Sequence, residues 1–192
     1  MSLDAFFQAE LDEHAEAFIA TREVIIKPFT KLVETCLTAC RNGKKLVLFG
    51  NGGSAADAQH IATELIVRYE VDGAPIMAMA LTTDTSVLTA VANDYSFEDI
   101  FSRQVEGLCR EGDVAIGIST SGQSENIIRG LNMAKKVGAH AVGLVGRDGG
   151  RMKGLADPLV IVPATDTGRI QEMHIMLGHM LCGALERELR SA

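Results

Sequence analysis

The chain lacks the marks of several common protein classes. Its four cysteines, Cys36, Cys40, Cys109 and Cys182, form no C-x-x-C pair and no ligand-like grouping. Reduced core thiols are expected, and neither a disulfide framework nor thiol redox chemistry is indicated. No basic run or aromatic-interleaved basic patch occurs, and 18 basic against 25 acidic residues give a formal net charge of −7. That balance excludes a nucleic-acid surface, so any anionic ligand must be held locally. The amino terminus, Met1-Ser2-Leu3-Asp4, is acidic within a few residues, and it has no long apolar core. Neither a signal peptide nor a membrane span is expected, and a cytoplasmic location is. Nucleotide-binding signatures are missing too. No Gly-Lys-Ser/Thr of a Walker A loop and no Gly-x-Gly-x-x-Gly accompany the glycine-rich turn at residues 50–53. Internal repeats, linkers and low-complexity segments are absent as well.

What is present fits a single domain over residues 1–192, with 47% hydrophobic residues and enough length to bury a substantial core. Helical patterns cover Leu3 to Thr21 and Val24 to Arg41, and Asn42-Gly43 then stops the second helix. Strand-like apolar runs follow at Lys45 to Phe49, Ile76 to Leu81, Val114 to Ser119, His140 to Val145 and Leu159 to Val162. Between them lie helical stretches at Ala55 to Tyr69, Thr85 to Val91, Ile100 to Cys109, Asn126 to Val137 and Arg151 to Leu155. A long helix closes the chain at Arg169 to Leu189. Continuous apolar strands alternating with helices predict a parallel sheet covered on both faces, with its ligand crevice beyond the carboxyl ends of the strands. The two amino-terminal helices carry Phe6, Phe7, Phe18, Ile19 and Phe29. They are too apolar for a solvated arm, and residues 1–42 are expected to serve as an oligomerisation segment.

Two turns carry the functional signal. The run Gly50-Asn51-Gly52-Gly53-Ser54 joins the first strand to a helix, and Ser119-Thr120-Ser121-Gly122-Gln123-Ser124 joins the third strand to another. Small residues after a strand let backbone N–H groups approach an anion, and the following helix adds the positive end of its dipole. A helix cap needs only one hydroxyl, and here there are four. Together the turns suggest a phosphorylated small molecule. The helix after the first turn places His60 and Glu64 four residues apart, hence on one face. On the closing helix, Gln171 and His179 fall within about 80° of each other at 100° per residue. Imidazole and carboxylate at such spacings suit a metal ion or proton transfer, although each side chain alone is as readily an ordinary structural residue. His14, His140 and His174 are read as structural.

With these motifs in place the sequence resembles the phosphoheptose isomerases. Matching segments are Gly50 to Ser54, Asp57 to Tyr69 with His60, Glu64 and Arg68, Ala92-Asn93-Asp94, Phe97 to Arg103, Arg110 to Asp113, Gly117 to Ser124, Asp148-Gly149-Gly150 and Arg169 to His174. They span nearly the whole chain. The resemblance implies a sugar-isomerase (SIS) domain of the α/β class. Its fold would be a flavodoxin-like three-layer αβα sandwich with a five-stranded parallel sheet and amino-terminal helices, assembled as a homotetramer with sites near the subunit interfaces. It further implies conversion of D-sedoheptulose 7-phosphate to D-glycero-D-manno-heptose 7-phosphate through an enediol, feeding ADP-heptose and lipopolysaccharide synthesis.

For individual residues, the resemblance puts the 7-phosphate on Ser119, Thr120, Ser121 and Ser124. It puts the sugar beside Asn51, Gly52, Gly53, Ser54, Asn93, Asp94, Glu64 and Gln171, and one Zn2+ per subunit on His60, Glu64, Gln171 and His179. Glu64 would be the base at carbon, and His179 the acid or base at the sugar oxygens. Gln171 is an unusual zinc donor, so modest affinity is expected. One departure stands out. Family members can carry an acid before the position of Arg169, whereas this chain has Gly168, and any polar role there passes to Asp166 or is absent. SIS-domain proteins also include non-catalytic adaptors that bind the replication initiator. These share segments such as Arg169 to His174 but lack acid–base residues at the positions of Glu64 and His179. A sugar-phosphate sensor that binds without turnover is the third reading.

Overall fold

The computed structural model describes residues 1–190. Seven α-helices and five strands follow one another as α1 (Leu3–Val24), α2 (Ile26–Arg41), β1 (Leu46–Gly50), α3 (Gly53–Ile66), β2 (Ala78–Ala80), α4 (Thr85–Asp94), α5 (Ile100–Leu108), β3 (Val114–Ser119), α6 (Glu125–Lys136), β4 (His140–Gly146), β5 (Leu159–Val162) and α7 (Thr167–Arg190). Short 3-10 turns precede α5 and β5. All strand pairs are parallel, in the order β2-β1-β3-β4-β5. This is the flavodoxin-like, doubly wound arrangement, in which the chain reverses direction across the sheet between β1 and β3.

Helices cover both faces, and the alternation of side chains along each strand divides the core in two. Leu46, Leu48, Val114, Ile116, Ile118, Val142 and Leu144 pack with α2, α3 and α7. Val47, Phe49, Ala115, Ala141 and Val145 face α4, α5 and α6, where Phe49 and Phe101 meet at 5.2 Å between ring centres. The predicted elements differ mainly at their ends. β2 is three residues rather than six, because it is an edge strand paired only through 78–80. Residues 151–155 make one 3-10 turn, Gly150–Met152, instead of a helix.

The amino-terminal helices divide their roles. α2 buries Phe29, Leu32, Cys36 and Leu37 in the core. α1 buries only Ala17 and Thr21, leaving Phe6, Phe7, Leu11 and Ile19 exposed. Among the described residues, no helix is long and apolar enough to cross a membrane.

Candidate active site

Both predicted turns sit at the carboxyl ends of adjacent strands, β1 and β3. At the first, Gly52 has φ +56° and ψ −122°, a conformation that requires glycine. Helix α3 opens there, at Gly53, two residues earlier than its apolar pattern suggests. Gly50 lies so close to Ser54 that a Cβ on it would fall 2.6 Å from the Ser54 carbonyl oxygen. Ser54 is 2% exposed. The tight turn leaves little of Ser54 exposed, and its hydroxyl makes no hydrogen bond among the described residues.

At the second turn, Ser119 is also buried and its hydroxyl accepts the Gly122 N–H at 3.0 Å, closing the loop on itself. The Ser121 hydroxyl accepts from Gln123 N–H at 3.2 Å. Ser124 is the N-cap residue of α6, yet its side chain makes no capping bond. Its hydroxyl and the first amides of α6 therefore remain available to an anion. Behind the loop, Gly122 presses on Gly149, and Arg151 N–H donates to the Gly122 carbonyl at 3.0 Å. The two turns are tied together by a reciprocal amide pair. Asn51 Nδ2 donates to Asn126 Oδ1 at 2.8 Å, and Asn126 Nδ2 returns a bond to Asn51 Oδ1 at 2.9 Å. Asn51 thus spends part of its predicted ligand capacity on bracing. Asn126 had no signal beyond its place in the helix.

The acid–base cluster forms where α3 and α7 meet. His60 Nε2 lies 2.9 Å from His179 Nε2, and Glu64 Oε1 lies 3.4 Å from His60 Nε2. One of the two imidazoles must donate in the first contact. The 80° offset of Gln171 and His179 places both against α3. His179 meets His60, while the Gln171 amide packs on Gly53, where a Cβ would fall 2.3 Å from Nε2. Small residues make this approach possible, since Gly178 beside His179 accommodates Ile61.

Does the donor set fit a metal ion? Two imidazole nitrogens and a carboxylate oxygen are ordinary zinc ligands, and tetrahedral zinc at about 2.1 Å spaces its ligands roughly 3.4 Å apart. The Glu64–His60 separation already has that value, and the two histidines would part by about 0.5 Å to reach it. Among the described residues, no three His, Cys, Asp or Glu side chains are already arranged as a metal centre. The chemistry fits, with Gln171 the one expected donor outside the His60–Glu64–His179 contact.

The surroundings hold several groups that the sequence did not single out. Asp57, one turn before His60, has a buried Oδ2 without a partner, and burial raises its pKa to about 6 against a partial offset from His60. Tyr69 stacks on His179 at 5.3 Å and 16°. It does so because α3 ends at Ile66, and the loop carrying Arg68 and Tyr69 then folds back toward α7. Cys182, facing the same region, has its thiol pushed up to about 12 by burial and the nearby Glu64 charge.

Other candidates lie apart. Asn93 and Asp94 are exposed at the end of α4 and bond to each other at 2.7 Å. Arg169 pairs with Glu10 at 3.1 Å and Glu172 at 3.0 Å, and His14 meets Glu172 at 2.7 Å, so this cluster fastens α1 to α7. Asp166 caps α7 through Arg169 N–H at 3.0 Å, and a Cβ on Gly168 would sit 3.1 Å from that carboxylate. His140 is exposed at the start of β4. His174 is fully buried beside the Val145 backbone, with neither ring nitrogen satisfied and a pKa lowered to about 4 by burial.

Comparison with known proteins agrees with this architecture. The SIS domain family matches residues 7–146. The phosphoheptose isomerase of Paramagnetospirillum magneticum is 54% identical over 186 residues, covering 97% of each chain. That of Aquifex aeolicus is 53% identical over 174 residues, 91% of each. The solved phosphoheptose isomerase from Neisseria gonorrhoeae is 41% identical and superposes with a TM-score of 0.90 over 96% of this chain and 99% of its own. With half its residues shared along nearly its full length and the same fold throughout, the chain belongs to the phosphoheptose isomerases, SIS-domain enzymes of the isomerase class.

Proposed function

We propose that the chain converts D-sedoheptulose 7-phosphate to D-glycero-D-manno-heptose 7-phosphate by proton transfer through an enediol, as the first step toward ADP-heptose for lipopolysaccharide. The observation that carries this reading is the contact of His60, Glu64 and His179 across α3 and α7. It sits in a fold whose hydroxyl-rich second turn leaves Ser124 and the α6 amides open to phosphate. The 7-phosphate is held by Thr120, Ser121 and Ser124, with Ser119 shaping the loop. Neutral hydroxyls and amides suffice, which reconciles an anionic substrate with an acidic protein. The sugar lies along Asn51, Gly52 and Gly53 toward Glu64, with Asn93 and Asp94 supplied by the assembled oligomer.

In the reaction Glu64 removes a proton from C1 of the open-chain ketose, exchanges it with solvent while the enediol lasts, and delivers a proton to C2. His179 carries the accompanying proton between the C2 and C1 oxygens. A zinc ion held by His60, Glu64, Gln171 and His179 would act as a Lewis acid on the carbonyl. The protein would work as a homotetramer in the cytoplasm, and the exposed Phe6, Phe7, Leu11 and Ile19 on α1 support self-association. Glu64→Gln tests the assignment. It should fold normally and bind sugar phosphate, yet lose about 10²- to 10⁴-fold in kcat. Wild-type turnover in this variant removes Glu64 as the base. Binding without turnover in the unmodified protein points instead to a sensor or adaptor.

A further inference from the structure

Four residues of α7 at three- or four-residue spacing, His179, Gly183, Glu186 and Arg190, face the loop that follows α3, and the loop is held there by unusual means. Glu186 is 1% exposed. Its carboxylate accepts three consecutive backbone N–H groups, from Tyr69 at 2.7 Å and from Glu70 and Val71 at 2.9 Å each. Hydrogen bonding to the charged form holds this carboxyl below the usual range despite its burial. Arg190, also 1% exposed at its side chain, ion-pairs with Glu186. Its guanidinium donates to the carbonyls of Leu65, Val71 and Ala74 at 3.1, 2.7 and 3.1 Å. Burying an ion pair contributes little net stability, but it fixes geometry where every hydrogen bond is made.

What the clamp fixes is Tyr69. Its ring lies over α7 with His179 beneath one part and Gly183, one turn further, beneath another. A Cβ on Gly183 would be in van der Waals contact with ring carbons Cε1 and Cδ1, at 3.4 and 3.6 Å, so the atoms of a larger side chain would compete with the ring for space. The His179 imidazole is thereby held on its face by Tyr69, at 5.3 Å and 16°, and edge-on by His60, at 5.1 Å and 71°. Rotation about the last side-chain bond of a histidine is soft, so an unsupported ring samples a broad range. Proton transfer demands much tighter alignment.

We propose that Tyr69 is a positioning residue that sets the plane of the His179 imidazole, and that Glu186 and Arg190 act on the site only through it. The proposal rests on His179 being a proton-transfer group. The hydroxyl plays no part, so Tyr69→Phe should retain full function while Tyr69→Leu should not.

The test combines kinetics with histidine NMR on the full-length protein. In Tyr69→Leu, kcat should fall about 10- to 100-fold with KM for the sugar phosphate within about twofold of wild type, because the phosphate turn is untouched. With 13C-histidine labelling, the His179 ring protons should lose the upfield shift given by a stacked aromatic ring. Tyr69→Phe should restore both. Gly183→Val, a better helix former than glycine, should displace the Tyr69 ring without altering it and produce the same two changes, even if Tyr69→Leu is poorly folded. A Tyr69→Leu or Gly183→Val protein with wild-type kcat and unmoved His179 resonances would overturn the proposal. If the unmodified protein fails to isomerise sedoheptulose 7-phosphate, the functional reading fails, while the NMR comparison still decides whether Tyr69 orients His179.

Discussion

Alanine at Gly53 separates the folding role of the first turn from its chemical role. Gly53 is the first residue of α3 and does not have a left-handed φ, so alanine is compatible with the backbone. In a helix, alanine is favoured over glycine by about 0.5–1 kcal/mol. The new methyl, however, would fall 2.3 Å from Gln171 Nε2 and 2.8 Å from its Cδ. An unstrained contact lies near 3.5 Å, so the amide must withdraw by about 1 Å. Gln171 is a long side chain whose tip can move, and the stability of Gly53→Ala should stay within about 1 kcal/mol of wild type. Displacing a site group by about 1 Å is worth about 10²-fold in rate. The expected result is a protein with an unchanged urea midpoint, kcat/KM lowered about 10²-fold, and weaker zinc binding by calorimetric titration. Gly52→Ala makes the converse case. No atom lies within 4 Å of its Cβ, but φ is +56°, so strain of about 1–3 kcal/mol appears directly in stability. A Gly53→Ala enzyme with wild-type turnover and zinc affinity would refute the placement of Gln171 in the site.

Three further outcomes follow from buried or exposed groups. His174 keeps a pKa near 4 when folded against 6.5 when free, so the unfolded chain binds the extra proton first as the pH falls. The linked stability is whole above pH 6.5 and drains between 6.5 and 4, a loss on the order of 3 kcal/mol. The urea midpoint of wild type should therefore fall relative to that of His174→Met on acidification, and parallel pH profiles would contradict the buried neutral imidazole. Asp57 shows the opposite sign. Its folded pKa of about 6 lies above the free value of 3.8, so ionisation penalises the folded state increasingly from pH 3.8 to 6. Asp57→Asn should melt with wild type below pH 4 and above it at pH 7.5, and equal melting at both pH values counts against this. On α1, Phe7 and Ile19 are 55% and 56% exposed, and Phe7→Glu with Ile19→Glu should dissociate a tetramer by light scattering. A monomeric wild type would contradict that interface.

The parts of this structure that could be read from sequence are those set by local spacing. β3 and β5 coincide with their apolar runs, and the His60–Glu64 and Gln171–His179 spacings put each pair on one face of its own helix, while the meeting of the two faces was implied only by the resemblance. Helix ends were harder to place. α3 begins at a glycine and stops at Ile66, because Glu186 captures the following amides, so Tyr69 fell outside the helix to which its pattern assigned it. Long-range pairings gave no signal at all. Asn51 and Asn126 are 75 residues apart, and Arg169 and Glu10 are 159 apart.

The central claim is proton transfer at C1 and C2 of a ketoheptose phosphate, and NMR in deuterium oxide tests it most directly. Purified protein with zinc and sedoheptulose 7-phosphate should yield the aldoheptose 7-phosphate with solvent deuterium at C2, and the Glu64→Gln variant should give both about 10²- to 10⁴-fold more slowly. Substrate bound with no conversion and no deuterium incorporation would contradict the account.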